Sequence, residues 1–464
     1  MVLDHLDIIV LLTGGLIFLL VLITVLISIF EHEKLAAQRL LLIAFILVIP
    51  YIAAALPDYP WKNNVEWVLL GITVLIPLFF FIPVGSAIEQ GNNIPSAGYD
   101  ERDIMFSRAL LKQGTERFDE YYKNNPGNRD ADDRFRSEPG LLSENASMYH
   151  PYFFPAAESC FNTIVNLRDH TDGSVAGEKA ETDPARVTEF IKNMILQYDA
   201  HSVGITTIKD YHKYIYYGRE KNYGRPVEND HKYAIAFTVE MDRYMNMCAP
   251  YAPTAFESAK QYLNSARISL AVSAFIREMG YPARAHIDGK YDIICPLVAR
   301  DAGLGEIGRM GILMTPKLGP RVRIGVVTTD LPLMPDEYKP DLTVKEFCTY
   351  CSKCADVCPS RAIPFDDMKD HNGVDKWQLN SEECYRFWCI SGTDCGKCMA
   401  VCPYSHPDNI FHNVIRAGIR HSRFFRKIAV KLDDIIYSRK PKPFKMKKWM
   451  LKTKEKQQFS NSTI

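Results

Sequence analysis

Two short stretches, CTYCSKCADVCP at residues 348–359 and CYRFWCISGTDCGKCMAVCP at residues 384–403, decide the fold class of this chain. The first has the spacing Cys-x-x-Cys-x-x-Cys-x-x-x-Cys-Pro, and the second ends in Cys-x-x-Cys-x-x-x-Cys-Pro. In the iron–sulfur run of bacterial proteins, the first three cysteines ligate one cluster, and the fourth, before the proline, ligates the other. The pattern therefore predicts a ferredoxin-like module that holds two [4Fe–4S] clusters.

The same spacing assigns eight cysteines to the two clusters. Zinc is the competing interpretation, because Cys-x-x-Cys pairs also form tetrahedral zinc sites, but two interlocking halves that each end in Cys-Pro favour clusters. Cys389 lies between two of the predicted ligands and is an alternative to Cys384. We predict a first cluster on Cys348, Cys351, Cys354 and Cys402, and a second on Cys358, Cys384, Cys395 and Cys398.

The N-terminal part of the chain has the composition of a membrane domain. Residues 8–30, 40–56 and 67–88 contain no charged side chains, and each run is close to the 20 or so residues that cross about 30 Å of hydrocarbon. Prolines within these runs are tolerated, because neighbouring helices satisfy the freed backbone groups. We predict a three-helix transmembrane anchor over residues 1–88.

The basic residues near these runs predict the orientation. Lys34 and Arg39 lie between the first and second runs, whereas only Lys62 lies between the second and third. The positive-inside rule then places the first loop and the bulk of the chain on the cytoplasmic side. Residues 416–456 carry fifteen Lys or Arg and three acidic residues, which suits either anionic lipid or solvent. No twin-arginine motif precedes the first run, which favours the same orientation.

The remainder of the chain divides by composition. Residues 89–148 are predicted to be a linker and domain entry, with a polar surface loop at residues 121–139. Residues 149–340 alternate helical and strand-like patterns, with a long helix at residues 255–279 that ends before Gly280. This alternation predicts an α/β or α+β core. Residues 341–410 form the cluster module, and residues 411–464 a basic C-terminal segment.

The motif Gly303-x-Gly305-x-x-Gly308 matches the dinucleotide-binding pattern in letters. A dinucleotide site needs a strand before this motif and a helix after it. Here the preceding residues have a helical pattern and the following residues a strand-like one. We therefore predict a tight backbone segment around a bulky group rather than a nucleotide site.

Three stretches resemble the corrinoid-dependent reductive dehalogenase family. The run AGLGEIGRMGILMTPKLGPRVRIGVVTTDLPLM (residues 302–334), followed by the cysteine motifs, is similar to that family and to its relative, epoxyqueuosine reductase. YLNSARISLAVSAFIREMGY (residues 262–281) resembles the helix that carries the family's active-site tyrosine. CYRFWC places a cysteine before an aromatic pair, as the family does, which favours Cys384 over Cys389. WKNNVEW (residues 61–67) is similar in part to a motif of the family's separate membrane-anchor protein.

The resemblance implies the cofactors and the site residues. It implies a corrinoid (cobalamin) that is bound base-off between the core and the clusters and works as Co(I). Tyr262 is implied as the proton donor, with Lys290 and Arg323 as its polar and cationic helpers. His286 or Asp288 stands as an alternative to Lys290. The implied corrinoid contacts are Gly303, Gly305 and Arg309.

The expected function is that of a membrane-anchored, cytoplasm-facing enzyme that removes halide from an organohalide. The expected partners are the small substrate, the membrane and an electron donor (ferredoxin, flavoprotein or quinol), and no nucleic acid is expected. One alternative is a corrinoid and iron–sulfur reductase of a non-halogenated substrate, similar to epoxyqueuosine reductase. Another is a membrane subunit whose clusters only relay electrons, although a relay needs no substrate acid such as Tyr262.

Overall fold

The computed structural model describes residues 3–82 and 91–451. The helices are α1 His5–Phe30, α2 Lys34–Ala55, α3 Lys62–Phe81, α4 Met105–Ala109, α5 Glu116–Asn124, α6 Arg129–Arg136, α7 Phe153–Leu167, α8 Pro184–Gln197, α9 Arg243–Met247, α10 Ala252–Glu278, α11 Cys295–Asp301, α12 Leu342–Cys351, α13 Lys353–Val357, α14 Ser381–Ser391, α15 Lys397–Ala400, α16 Ile410–His421 and α17 Arg423–Tyr437. The strands are β1 Ser202–Thr207, β2 Tyr233–Glu240, β3 Ala283–His286, β4 Glu306–Ile307, β5 Leu313–Met314, β6 Val322–Thr329, β7 Lys369–His371 and β8 Val374–Lys376.

The chain folds into two compact units. One, here called the membrane unit, comprises Met1–Ile88 and Asp408–Pro441, and the other, the core unit, comprises Glu89–Pro407 and Lys442–Ile464. The structure differs from the prediction at the C-terminus, where α16 and α17 belong to the same unit as the N-terminal helices and not to a separate basic segment.

The membrane unit contains three helices long and apolar enough to span a bilayer, as the sequence predicts. They are α1, α2 and residues Lys62–Phe79 of α3. Asp4 caps the start of α1, since its side chain accepts the backbone N–H groups of Leu6 and Asp7 at 2.8 Å each, and such capping satisfies donors that the helix itself leaves unpaired. Pro50 and Pro77 lie inside α2 and α3 without ending them.

The core unit is built on a four-stranded antiparallel sheet of order β1-β2-β6-β3. One face packs against α8 and α10 through apolar side chains such as Ile195, Phe237 and Val272, and the other face packs against α11. The strands and the long helix α10 fall where the sequence predicts them. α10 ends before Gly280, whose φ of +81° and whose closeness to the Glu178 carbonyl leave no room for a side chain. Helices and antiparallel strands together make the core α+β.

Residues 121–139 form helices, so the prediction of a surface loop there is wrong. α5 and α6 bury Phe118, Tyr122 and Phe135, and the Tyr122 hydroxyl donates to the buried Asp132 carboxylate at 2.6 Å. The Asn, Asp, Pro and Gly of this stretch indicate a loop in composition, but its aromatic residues recur at helical spacing. Burial of that aromatic stripe outweighs the weak helix propensity of the polar residues.

The glycine-rich segment lies between a helix and a short strand, as expected. α11 precedes Gly303 and Gly305, and β4 follows them. A side chain on Gly305 would approach the Met314 carbonyl to 2.2 Å, so the close pairing of β4 with β5 requires glycine there. The segment lacks the strand-to-helix turn that a dinucleotide site needs.

A buried ion pair ties α4 to α6 and α14, and its loss is the first prediction. Arg108 is almost fully buried and pairs with Asp132 and Glu382. Arg108→Ala leaves buried carboxylate unpaired, so we expect unfolding free energy to fall by roughly 3–5 kcal/mol. Arg134, which pairs with Glu383 while about half exposed, is the matched control, and Arg134→Ala should cost less than about 1 kcal/mol. Denaturant unfolding followed by circular dichroism measures the unfolding free energy of both variants. Equal losses in the two variants would contradict the assignment of Arg108 to a stabilising buried ion pair.

Candidate active site and cluster module

The structure gathers the eight predicted cysteines into two sets. Burial, followed by the charges of Cys351, Cys348 and Cys354, raises the pKa of the Cys402 thiol, so these four thiols lie close together. In the same way, burial and the charges of Cys395, Cys384, Cys354 and Cys358 raise the pKa of Cys398. The two sets adjoin each other, because Cys354 of the first set acts on Cys398 of the second.

The donor chemistry of these sets fits iron–sulfur clusters. Among the residues that the structure describes, no three His, Cys, Asp or Glu side chains stand close enough to bind one metal ion. A single zinc ion would hold each sulfur at about 2.3 Å and so draw four thiolates tightly together. Two sets of four cysteine thiols suit two cubanes, in each of which every cysteine ligates a different iron.

Cys389 lies apart from both sets. Its thiol is buried on α14, where burial and the nearby Glu138 raise its pKa and a hydrogen bond with Tyr385 lowers it. Cys384, on the same helix, instead has Cys358 as the charge that most raises its pKa after burial. The geometry therefore favours Cys384 as the ligand.

The loop that follows α14 is held rigidly. Gly392, Cys395 and Gly396 all adopt positive φ values, of 76°, 60° and 72°, which glycine accommodates and other residues adopt only where their surroundings impose it. Thr393 fixes the loop by donating from its hydroxyl to the Pro250 carbonyl at 2.7 Å. Asp394, between these residues, is thereby placed next to the second cysteine set.

Asp394 joins this loop to the predicted catalytic residues. Its carboxylate pairs with the Arg323 guanidinium at 3.1 Å, and Arg323 projects from β6, the strand between β2 and β3. The guanidinium also donates to the Ser258 hydroxyl on α10 and lies 4.9 Å from the ring centre of Tyr262, one turn further along the same helix. The structure therefore brings Tyr262 and Arg323 together, as predicted.

Two polar atoms at this place lack protein partners in the part of the chain that the structure describes. They are Nε of Arg323 and Oδ1 of Asp394, both buried. A buried polar group without a partner is costly, so these atoms are suited to a ligand or water that completes their hydrogen bonding. They mark the space beside Tyr262 as a candidate binding site.

The protonation of Tyr262 follows mainly from burial. Burial raises the pKa of its hydroxyl, and the positive charge of Arg323 opposes the rise. The Arg323 charge lowers the pKa of Tyr262, as predicted. Desolvation outweighs this effect, because a buried phenolate loses the solvation that water gives it. Tyr262 is therefore protonated throughout the neutral pH range, as a proton donor must be.

The segment after β3 contributes a tyrosine that the sequence argument missed. Lys290 is half-buried in the turn, where its backbone N–H donates to the Ile287 carbonyl at 2.9 Å. The next residue, Tyr291, has its pKa raised by burial and then by Asp288 and Tyr262, so the two phenols are neighbours. The spacing of residues in the sequence does not reveal that a second tyrosine lies near Tyr262, because the two residues come from different elements.

His286 is excluded as a charged helper. It is buried, its Nε2 lies 3.0 Å from the Thr328 hydroxyl, and burial holds the pKa of its imidazole well below the usual value. Asp288 interacts with Arg168, whose Nε donates to the Asp288 carbonyl at 3.0 Å. Its negative charge raises the pKa of Tyr262, which is the opposite of what a cationic helper does.

Of the predicted corrinoid contacts, Arg309 lies against the cluster module. This residue is buried and donates to the carbonyls of Cys348, Pro364 and Asp366 at 3.1, 2.9 and 3.0 Å, and its guanidinium lies 4.6 Å from the Trp377 ring centre. Those bonds commit Arg309 to holding the cluster module. Gly305 serves the β4–β5 pairing, and Gly303, at φ +78°, ends α11 with open space around it.

Comparisons with known proteins agree with this geometry. A family model described as a 4Fe-4S dicluster domain matches residues 347–406. The chain is 36% identical over 198 residues to tetrachloroethene reductive dehalogenase of Desulfitobacterium hafniense, covering 40% of this chain and 35% of that protein. It is 31% identical over 294 residues to the Sulfurospirillum multivorans enzyme of the same name, covering 55% and 57%.

A solved structure supports the same relationship. It is described as a reductive dehalogenase whose structure suggests a mechanism for B12-dependent dehalogenation, and it matches 66% of this chain and 46% of its own with a TM-score of 0.58 at 27% identity. Over these aligned parts the chain is similar to reductive dehalogenases. It spans only about a third to somewhat over half of the length of the curated proteins that it matches.

The separation of Cys384 from Cys389 yields the second prediction. Cys389→Ala should leave the iron content unchanged, since its thiol lies apart from both sets. Cys384→Ala removes one ligand of the second cluster, so iron should fall by up to about half of the roughly eight atoms that two cubanes hold. Iron analysis and the charge-transfer absorbance of the anaerobically purified chain measure this. Loss of iron in Cys389→Ala alone would overturn the ligand set.

Proposed function

We propose that this chain is a membrane-anchored reductive dehalogenase that replaces the halogen of an organohalide by hydrogen. The observation that carries the proposal is the meeting of Tyr262, Arg323 and Asp394 beside the second cysteine set. A buried proton donor and a predicted electron carrier thereby lie beside the same site. Reductive dehalogenation needs both, because R–X takes up two electrons and one proton to give R–H and a halide ion.

The residues divide this work between them. Tyr262 holds the proton at its hydroxyl and donates it to the carbon that loses the halide. Arg323 stabilises the phenolate that remains, since its charge lowers the pKa of Tyr262 against the effect of burial. Asp394 and Ser258 hold the guanidinium in place. The tyrosine is reprotonated from solvent before the next turnover.

The proposal includes a base-off corrinoid and two [4Fe–4S] clusters. When bound, the corrinoid supplies, as Co(I), the electrons that break the carbon–halogen bond. The residues that would help to hold it are Arg323 and Asp394, since Nε of Arg323 and Oδ1 of Asp394 have no protein partner among the described residues. The proximity of Cys354 to Cys398 supports transfer from the first cluster to the second.

The second cluster is the one that adjoins the proposed reaction site. Asp394 directly precedes Cys395, and Met399, which directly follows Cys398, has its sulfur 3.9 Å from Arg323. We therefore assign the second cluster as the proximal carrier and the first as the entry point. The donor that reduces the first cluster is a ferredoxin, a flavoprotein or a quinol.

Two other functions compete with this proposal. A corrinoid reductase of a non-halogenated substrate would use the same proton donor, so only turnover of halogenated and non-halogenated substrates separates the two. A pure electron relay would need neither Tyr262 nor a corrinoid. Purification after expression with cobalamin supplied tests this alternative: an iron–sulfur spectrum without corrinoid absorbance would favour the relay.

Removal of the proton donor gives the third prediction. Tyr262→Phe deletes one hydroxyl and keeps the ring, so folding and corrinoid content should persist while dehalogenation slows by roughly 10²–10⁴-fold. Because burial raises the pKa of Tyr262, the wild type should lose no activity through this group below about pH 10, its ordinary pKa. Halide release between pH 6 and about 10 measures both. Near-full activity in corrinoid-loaded Tyr262→Phe would assign the proton to another donor.

The fourth prediction concerns orientation in the cytoplasmic membrane. We propose that the chain crosses it three times and that the core unit faces the cytoplasm, because Lys34 and Arg39 mark the first loop as internal. A reporter fused after Ile464 should be active only if it functions inside the cell. A second fusion, in the loop before α3, should show the opposite behaviour. Protease cleavage of the core unit in intact cells would contradict this topology.

A further inference from the structure

Helices α16 and α17 lie at one end of the transmembrane bundle. The Phe79 ring near the end of α3 and the Phe424 ring of α17 are 5.1 Å apart. Arg39, near the start of α2, donates from Nη1 to the Ile435 carbonyl at 2.8 Å. Glu31, which follows α1, lies 3.2 Å from His412 of α16. α16 and α17 therefore contact the end of α1, the start of α2 and the end of α3.

These three helix ends belong to one face of the membrane. α1 and α2 form an antiparallel hairpin with a short turn between Phe30 and Lys34. At the opposite end, the start of α3 meets the start of α1, because Lys62 pairs with Asp7 at 2.5 Å. Helices that span a bilayer in alternating directions place such ends at the same water interface. α17 is thus located at the level where the lipid headgroups lie.

The exposed side of α17 has two parallel stripes, which we call the outer face. Arg423, Lys427 and Lys431 are exposed and four residues apart, so they form one stripe. Phe424, Leu432 and Ile435 form the adjacent stripe, and their exposed fractions are 42, 42 and 56%. The opposite side packs inward through Phe425, Ala429 and Val430.

We propose that the outer face of α17 binds the anionic phospholipids of one leaflet, with its apolar stripe at the acyl boundary and its basic stripe on lipid phosphates. A helix with an exposed apolar stripe beside Lys and Arg is the form that lies in a membrane interface. Long basic side chains reach the headgroups while their stems cover apolar surface. The apolar stripe also continues the lipid-facing surface of α3, where Leu75 and Leu78 are 65 and 58% exposed.

Solvent and a second copy of the chain fit this face less well. Three large apolar side chains in a row are a poor match for water. A symmetric pair would set the same basic stripe against itself, which costs energy.

The test measures lipid preference in the purified full-length chain. The detergent-solubilised protein is offered phosphatidylglycerol or phosphatidylcholine, and bound lipid is counted by native mass spectrometry. We expect the wild type to prefer phosphatidylglycerol, and the variant Arg423→Gln/Lys427→Gln/Lys431→Gln to lose that preference by at least about tenfold, since headgroup attraction scales with the number of basic residues. Cluster absorbance equal to that of the wild type shows that the variant is folded.

A matched control removes the same charge elsewhere. Lys112, Lys339 and Lys369 are exposed residues of the core unit, and their change to Gln should leave the lipid preference intact. An absent preference in the wild type, or equal losses in the two triple variants, would overturn the proposal. Leu432→Asp separates lipid from a second copy: conversion of a dimer to a monomer in light scattering, with lipid preference intact, would assign the face to self-association instead. None of these readouts depends on dehalogenation.

Discussion

The ion pair between Arg323 and Asp394 is the contact on which the candidate active site depends. It joins the sheet, through β6, to the loop that carries Cys395, and its guanidinium lies on the ring of Tyr262. Taking both charges out of water is expensive, and a well-packed apolar pair would often be as stable. Since one polar atom of each partner also stays unpaired among the described residues, stability alone does not account for the pair. It fixes the distance between the proposed proton donor and a predicted electron carrier.

Local patterns in the sequence predicted the parts of the fold that local forces determine. The cysteine spacing gave the module, because the wrapping of a short loop around a cluster depends only on residues close in sequence. The end of α10 before Gly280 and the strands β2 and β6 followed from the apolar period and from a glycine at positive φ. The membrane helices followed from uncharged length. In each case the residues that carry the sequence pattern are also the residues that form the structural element.

The parts that the sequence did not predict depend on partners far apart in the chain. Arg309 was read as a cofactor contact because it lies in the glycine-rich run, but its acceptors are carbonyls near residues 348 and 366. Asp394 lies within the second cysteine motif, but its role depends on its ion pair with Arg323. No sequence periodicity links these two residues. α6 has loop-like composition, but its Asp132 pairs with the buried Arg108, which also pairs with Glu382 of α14. Only packing reveals such roles.

The orientation of the membrane unit likewise depends on residues that are far apart in the chain. Two basic residues in the first loop are a thin basis for an orientation, because the positive-inside rule counts charges near the membrane and not along the chain. The fold places α16 and α17, which are separated from that loop by more than 370 residues, at the same helix ends. Their Arg and Lys side chains thereby join Lys34 and Arg39 at one end of the helix bundle. Basic residues that are far apart in the sequence are thus concentrated at one end of this unit, and the proposed orientation rests on that concentration.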